Sequence, residues 1–244
     1  MSTELLIAST KRAWHAALVA DPRTHAWVLN LYRAGERHPE QVTDYFPIDD
    51  APDEALREQL VRHRSDEARH AHLYERAVKL LDQPLEEPEG LDVFNNAIRL
   101  CTRAPFAIEA TMTRAERTER VVHFLCHAHF LEKRIARSLQ YHAEACQHGV
   151  DGGVRVVVES VLADEERHCA YTRAAPYELV SRRAADEAFA LHEAAERRAN
   201  LLFSARQVRT FLRRFPQIGR RRDRLRFAAG AVVMDLLQGG LALV

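Results

Sequence analysis

Residues 65–73 read SDEARHAHL, and residues 163–171 read ADEERHCAY. Both contain Asp-Glu-x-Arg-His: Asp66, Glu67, Arg69 and His70 in the first, and Asp164, Glu165, Arg167 and His168 in the second. A single Glu-x-x-His is common by chance in a charged helix. The same five-residue pattern in two long helical stretches is not. Residues three apart on a helix lie on one face, one turn from each other. A Glu and a His so spaced can ligate one metal ion, or the Glu can reach across to a second.

Working outward, each motif helix is preceded by a helix that offers a further carboxylate. Glu36 lies 31 residues before Glu67, and Glu132 lies 33 residues before Glu165. The two halves therefore read as a duplicated helix pair, with Glu40 as the alternative donor beside Glu36. The stripe around Glu36 carries Val28, Leu29 and Tyr32, and that around Glu132 carries Leu125, Ala128, His129, Ile135 and Leu139. The stripe around Glu165 carries Val158, Val161, Leu162 and Thr172, and that around Glu67 carries Leu60, His63 and Tyr74. All four carboxylates are expected to face the core. Unpaired there they would repel one another, and two divalent cations would remove that cost. The competing reading is a pair of solvated charged faces, which accounts for either motif alone but not for both with their partner glutamates. His63 and His129 read as core or supporting histidines and Tyr74 as a core aromatic.

The rest of the chain reads as helix. Low glycine and proline (9 each), with much Ala, Arg, Leu and Glu, favour helix over sheet, and no stretch alternates convincingly as a strand. The expected helices cover about 3–20, 24–38, 52–82, 116–147, 154–175, 180–214 and 223–240. Pro176 is expected to interrupt the fifth, and residues 91–115 to be irregular or short-helix material. The fold class is all-α, a four-helix bundle with one long crossover. Residues 1–244 form one domain, with the metal-binding bundle over 24–175 and a helical extension over 180–244.

Apolar residues at 47% and charged residues at 29% fit an ordinary globular protein, and the formal net charge is zero. No overall field suggests a nucleic-acid or membrane partner. Cys101, Cys126, Cys146 and Cys169 lack CxxC spacing and read as reduced thiols, which with no signal-peptide pattern at the N-terminus gives a cytoplasmic expectation. The apolar run 227–244 is broken by Asp235, Gln238 and glycines and reads as a packing helix. Residues 204–227 carry nine arginines against one acid, Asp223. They read as a solvated helix pair with salt bridges, or as a docking patch for an acidic carrier protein or RNA phosphates.

The order Glu, Glu-x-x-His, Glu, Glu-x-x-His over about residues 24–175 resembles the ferritin-like di-iron carboxylate superfamily, in particular its oxygen-activating members with two Asp-Glu-x-Arg-His motifs. The resemblance implies a metal set of Glu36, Glu67, His70, Glu132, Glu165 and His168. Glu67 and Glu165 would bridge, and Glu36 and Glu132 would be terminal. Asp66 and Asp164 would accept from the ligand histidines across the repeat, Asp164 from His70 and Asp66 from His168. Some arylamine N-oxygenases of this type add a histidine one turn before the second motif; here Val161 stands there, and His63 holds the matching place in the first. The implied cofactor is two Fe ions, with Mn/Fe or Mn/Mn as alternatives, and O2 is the co-substrate. The implied activity is a non-haem di-iron monooxygenase or oxidase acting on a small or carrier-bound organic substrate. The alternatives are a tRNA-base hydroxylase of the same fold, a ferroxidase or iron-handling protein, and a metal-free helical interaction module. A homodimer is compatible with each, and a membrane partner is not expected.

Overall fold

The computed structural model describes residues 3–37, 45–88, 106–146 and 152–241. Among these are seven helices and no strand: α1 (Thr3–Val19), α2 (Pro22–Glu36), α3 (Glu54–Leu80), α4 (Arg114–Cys146), α5 (Gly152–Leu179), α6 (Arg182–Arg214) and α7 (Arg221–Leu241). Glu40, Cys101 and the expected end of α4 at Gly149 lie outside the described residues.

Local chemistry sets the helix ends. Asp21 caps α2 by accepting from the Arg23 N–H, and Pro22 occupies the first turn, where its missing N–H costs nothing. Asp53 caps α3 through the Leu56 N–H at 2.9 Å, with Glu54 against the positive end of the helix dipole. Thr113 and Glu116 form a reciprocal capping box at the start of α4, with Thr113 N–H donating to Glu116 Oε2 at 2.8 Å and Glu116 N–H to Thr113 Oγ1 at 3.3 Å. At the end of α3 the chain turns through Asp82 at φ 52°. The Asp82 N–H donates to the Lys79 carbonyl and the Gln83 N–H to the Val78 carbonyl, the pairing of a Schellman turn.

One expected boundary is corrected. Helix α5 does not stop before Pro176 but continues to Leu179. The proline removes one hydrogen bond within the final turns, where few bonds remain to lose. Tyr171, Ala175 and Leu179 pack on one apolar cluster, and Tyr177 Oη donates to Asp186 at 2.7 Å, so tertiary contacts hold the turn.

Side-chain contacts give the helix directions. Asn30 and Arg33 of α2 hold residues 84–87 just beyond α3, while Glu36 meets His70, so α2 and α3 are antiparallel. His63 meets Tyr171 and His70 meets Asp164, so α3 and α5 are antiparallel. Leu139 packs with Val154–Val161 and His129 meets the Cys169 carbonyl, so α4 is antiparallel to α5. Helices α3 and α4 thus run the same way. Helix α1 lies against both α2 and α4, α6 lies against α4, and α7 lies against α6 and α1. A cluster centred on Trp27, Val208, Phe211 and Phe227 joins α1, α6 and α7 to the outer face of α2.

Two further apolar clusters divide the bundle along its axis. One contains Leu29, Tyr74, Val78, Leu139, Val158 and Val161. The other contains Phe46, Leu60, Phe124, Leu125 and Ala128. Since Glu67 lies between Leu60 and Tyr74, and Glu132 between Leu125 and Leu139, a polar layer is enclosed between the two.

Candidate metal centre

That layer holds Glu36 from α2, His63, Glu67 and His70 from α3, Glu132 from α4, and Glu165 and His168 from α5, all buried. Their donor atoms form two groups of four, each within 4.8 Å of one another. One is Glu36, Glu67, His70 and Glu165, and the other is His63, Glu67, Glu132 and His168. Glu67 belongs to both. Glu165 also spans them: its Oε1 lies 3.3 Å from His70 Nδ1 and its Oε2 lies 3.1 Å from His168 Nδ1. Glu36 Oε2 lies 3.7 Å from His70 Nδ1, and Glu132 Oε1 lies 3.4 Å from His63 Nε2. The six residues expected to ligate metal are brought to one centre, together with His63.

Behind the histidines, His70 Nε2 lies 3.1 Å from Asp164 Oδ2, and His168 Nε2 lies 3.2 Å from Asp66 Oδ2. Each aspartate is therefore paired with the histidine of the other motif. Arg69 pairs with Asp66 at 3.1 Å and also with Asp164. Arg167 pairs with Asp164 at 2.5 Å and with Asp66 at 2.7 Å. Burial raises the aspartates, but the arginines and histidines outweigh it and hold both carboxyls below the usual carboxylate range. Charged aspartates accept the Nε2–H of each ring, which leaves Nδ1 of His70 and of His168 turned inward toward the glutamates.

His63 faces the other way round. Its Nε2 lies 3.2 Å from Glu67 Oε1, its Nδ1 meets Tyr171 Oη at 2.7 Å, and its ring stacks on His168 at 3.7 Å between centroids. Its Nδ1 is thus paired with the tyrosine, and its Nε2 faces Glu67 and Glu132. The sequence signal for His63 was its position one turn before Glu67; it reads equally well as a core residue until α3 is placed beside α4. His129 Nδ1–H donates to the Cys169 carbonyl, 3.2 Å away, and the residue lies outside both groups. Tyr74 is fully buried in the apolar cluster next to the centre.

The polar atoms are crowded but poorly satisfied. His63 Nε2, Glu67 Oε1, His70 Nδ1, Glu132 Oε2 and Glu165 Oε1 are buried and make no hydrogen bond, although neighbours approach to 3.2–3.7 Å without donor geometry. Burial raises Glu36, Glu67 and Glu165, and mutual repulsion adds to it. Burial also opposes ionisation of Glu132, but His63 and His168 outweigh it and hold that carboxyl low. Burial opposes charge on His70, yet Glu165 and Glu36 push it up to about 11. In metal-free protein, protons thus hold together a donor set that cations would otherwise satisfy. Four carboxylates and three imidazoles with orphaned inward atoms fit a pair of divalent cations.

Elsewhere, the arginine-rich segment is largely engaged within the chain. Arg209 pairs with Asp235, Arg214 with Glu86, and Arg226 donates to Ser9 and Thr10. Arg224 donates to the carbonyls of Leu212, Phe215 and Ile218. No helix is long and apolar enough to cross a membrane among the described residues. No match to a family model, a curated protein or a solved structure was found.

Proposed function

We propose that the chain is a ferritin-like oxidoreductase in which Glu36, Glu67, His70, Glu132, Glu165 and His168, with His63 as a seventh donor, hold two iron ions. The reaction proposed is the O2-dependent oxidation or oxygenation of a small or carrier-bound organic molecule. The observation that carries this reading is the pair of buried four-residue donor groups that share Glu67 and contain five polar atoms without hydrogen bonds. The parallel run of α3 and α4, with 33 residues between Leu80 and Arg114, supports the ferritin-like assignment. Carboxylates outnumber imidazoles, which suits Fe or Mn better than Cu or Zn.

Two ferrous ions, when bound, supply the electrons that reduce O2. The chain's own residues do the rest. Glu67 and Glu165 face both positions and would bridge, while Glu36 and Glu132 would each serve one. Asp66 and Asp164 keep the His168 and His70 rings in one tautomer and one orientation, and Arg69 and Arg167 keep the aspartates charged. The apolar layers above and below the centre exclude bulk water, which strengthens every charge interaction inside.

The test is metal content. Chelator-stripped protein titrated anaerobically with Fe(II) is expected to retain two irons per chain after desalting. Glu67→Ala is expected to lose at least one of them while its far-UV circular dichroism stays helical. Two retained irons in the folded variant would remove Glu67 from the centre and, with it, this reading.

A further inference from the structure

A second group of donors lies further along the same bundle. Its members are His25 on α2 and His142 and Cys146 on α4, all buried, with one donor atom of each within 4.8 Å of the others. His142 and Cys146 are four residues apart and so share a face of α4. His25 comes from the facing side of α2. Eleven residues separate His25 from Glu36, and ten separate Glu132 from His142. At the helical rise, the group is about 15–17 Å along the axis from the carboxylate centre.

We propose that His25, His142 and Cys146 form a second metal site, separate from the carboxylate centre, which takes a thiophilic d10 cation, Zn2+ in the first place.

The geometry fits such an ion. His25 Nε2 and His142 Nε2 face each other at 2.9 Å, and Cys146 Sγ lies 3.9 Å from His25 Nε2. Bonds of about 2.0–2.1 Å to nitrogen and about 2.3 Å to sulfur give tetrahedral ligand separations of about 3.3–3.6 Å. The two observed distances fall on either side of that range, so small rotations of the rings suffice. The supporting contacts also match a ligand histidine: His142 Nδ1 lies 3.2 Å from Tyr32 Oη. Donation of Nδ1–H to that oxygen turns the Nε2 lone pair toward His25 and Cys146. Beside the group, His15 of α1 is 4% exposed, its ring centroid lies 5.8 Å from that of His142, and its Nδ1 makes no hydrogen bond. A zinc ion with three protein ligands keeps a fourth position, and His15 or water is the neighbour available to it.

The two sites differ in chemistry in a way that sorts metals. The centre around Glu67 is rich in carboxylate and has no sulfur donor among its seven. The group around His142 offers two imidazoles and a thiol, and no carboxylate. Thiolate and imidazole favour Zn2+ and Cu+, whereas carboxylate favours Fe2+ and Mn2+. Binding releases the Cys146 proton to solvent, and the proton shared between the two Nε2 atoms moves to the outer nitrogen of the His25 ring. No electron is transferred. The ion would tie α2 to α4, two helices that otherwise meet chiefly through α1 and the core between them.

Cobalt(II) is the probe, because thiolate-to-Co2+ charge transfer gives a near-ultraviolet band that carboxylate and imidazole do not. Chelator-stripped full-length protein titrated with Co2+ is expected to develop this band with one sulfur-bound cobalt per chain. Cys146→Ser and His25→Gln are expected to lose it. Cys169→Ser should keep it, as should Glu67→Ala, whose defect is confined to the carboxylate centre. Competition with Zn2+ should bleach the band at one equivalent, and Cu+ competition ranks the second d10 ion. Absence of the band in wild-type protein, or its survival in folded Cys146→Ser, overturns the proposal. If Cys146→Ser does not fold, the band's fate in His25→Gln decides. Loss of the band in Glu67→Ala would show that the two sites are not separate.

Discussion

At the scale of single residues, the centre depends on pairing across the repeat. Asp66 faces His168, and Asp164 faces His70, so each motif supports the histidine of the other. Neither aspartate has an oxygen in the two donor groups. Asp66→Asn and Asp164→Asn are therefore expected to retain metal but to bind it roughly 10–100-fold more weakly. Equilibrium competition with a chelator measures this, and wild-type affinity in both variants would show that the pairing is idle. The same residues set a pH dependence. Without metal, burial opposes charge on His63 and His70, but the glutamates prevail and raise both above the ordinary histidine range. The folded state then holds more protons than the unfolded chain above about pH 6.5, so stability present below that pH is lost as pH rises. Burial acts the opposite way on His15, His142 and His192, but those groups act below that window. Metal-free protein should lose thermal stability between pH 7 and 8.5. Metal ligation displaces the same protons, so at fixed metal the slope should reverse. Melting curves with and without Fe(II) under argon check the sign. The repeated Asp-Glu-x-Arg-His made Glu67, His70, Glu165 and His168 legible in the sequence, because a three-residue spacing is a statement about one helix face, and Glu36 and Glu132 followed from their similar offsets to the two motifs. His63 was visible only as a neighbour. Its place beside Glu132 and His168 depends on how α3, α4 and α5 pack, which no single helix periodicity encodes.

At the scale of elements, the expected starts of α2, α3 and α4 at about 24, 52 and 116 each fall two residues from the observed ones, although a cap stands at each. Asp21 accepts from the Arg23 N–H and Asp53 from the Leu56 N–H, and Thr113–Glu116 is a capping box. Pro176 misled, since a proline near a helix end removes one bond whose loss tertiary contacts can absorb. The end of α3 holds a local conflict. Asp82 adopts φ 52°, a conformation costly for residues with a Cβ, and its carboxylate sits at the negative end of the helix dipole. Asp82→Gly is expected to stabilise the protein by about 0.5–1 kcal/mol, since glycine is the preferred residue of this turn. Asp82→Ala should destabilise it, because alanine keeps the Cβ without the polar side chain that tolerates this backbone. Urea unfolding at constant m-value separates the two.

At the scale of the whole molecule, the described residues form helices and no strand, which was legible from the low glycine and proline content and the lack of alternating stretches. The way α1, α6 and α7 gather on the outer face of α2 and α4 was not, because their apolar residues fit any neighbour of the right shape. That outer layer bears on the choice between acting on an organic molecule and storing iron. It covers Trp27, Val28 and Leu31 of α2 with Phe211 of α6 and Phe227 of α7, and pairs Arg209 with Asp235 and Arg214 with Glu86. A storage shell needs bundle faces free to join a large symmetric assembly, with oxidised iron passing on to a mineral. An oxidoreductase needs two irons that cycle and stay. Anaerobic Fe(II) protein mixed with O2 in a stopped-flow instrument, at stepwise iron loading, distinguishes these. Oxidation is expected to saturate at two irons per chain, in a particle of one or two chains by light scattering. Oxidation that continues well beyond two irons per chain, in a particle of cage size, would transfer the centre to iron handling. Fe(II) that stays unoxidised would count against both and leave manganese as the metal to load next.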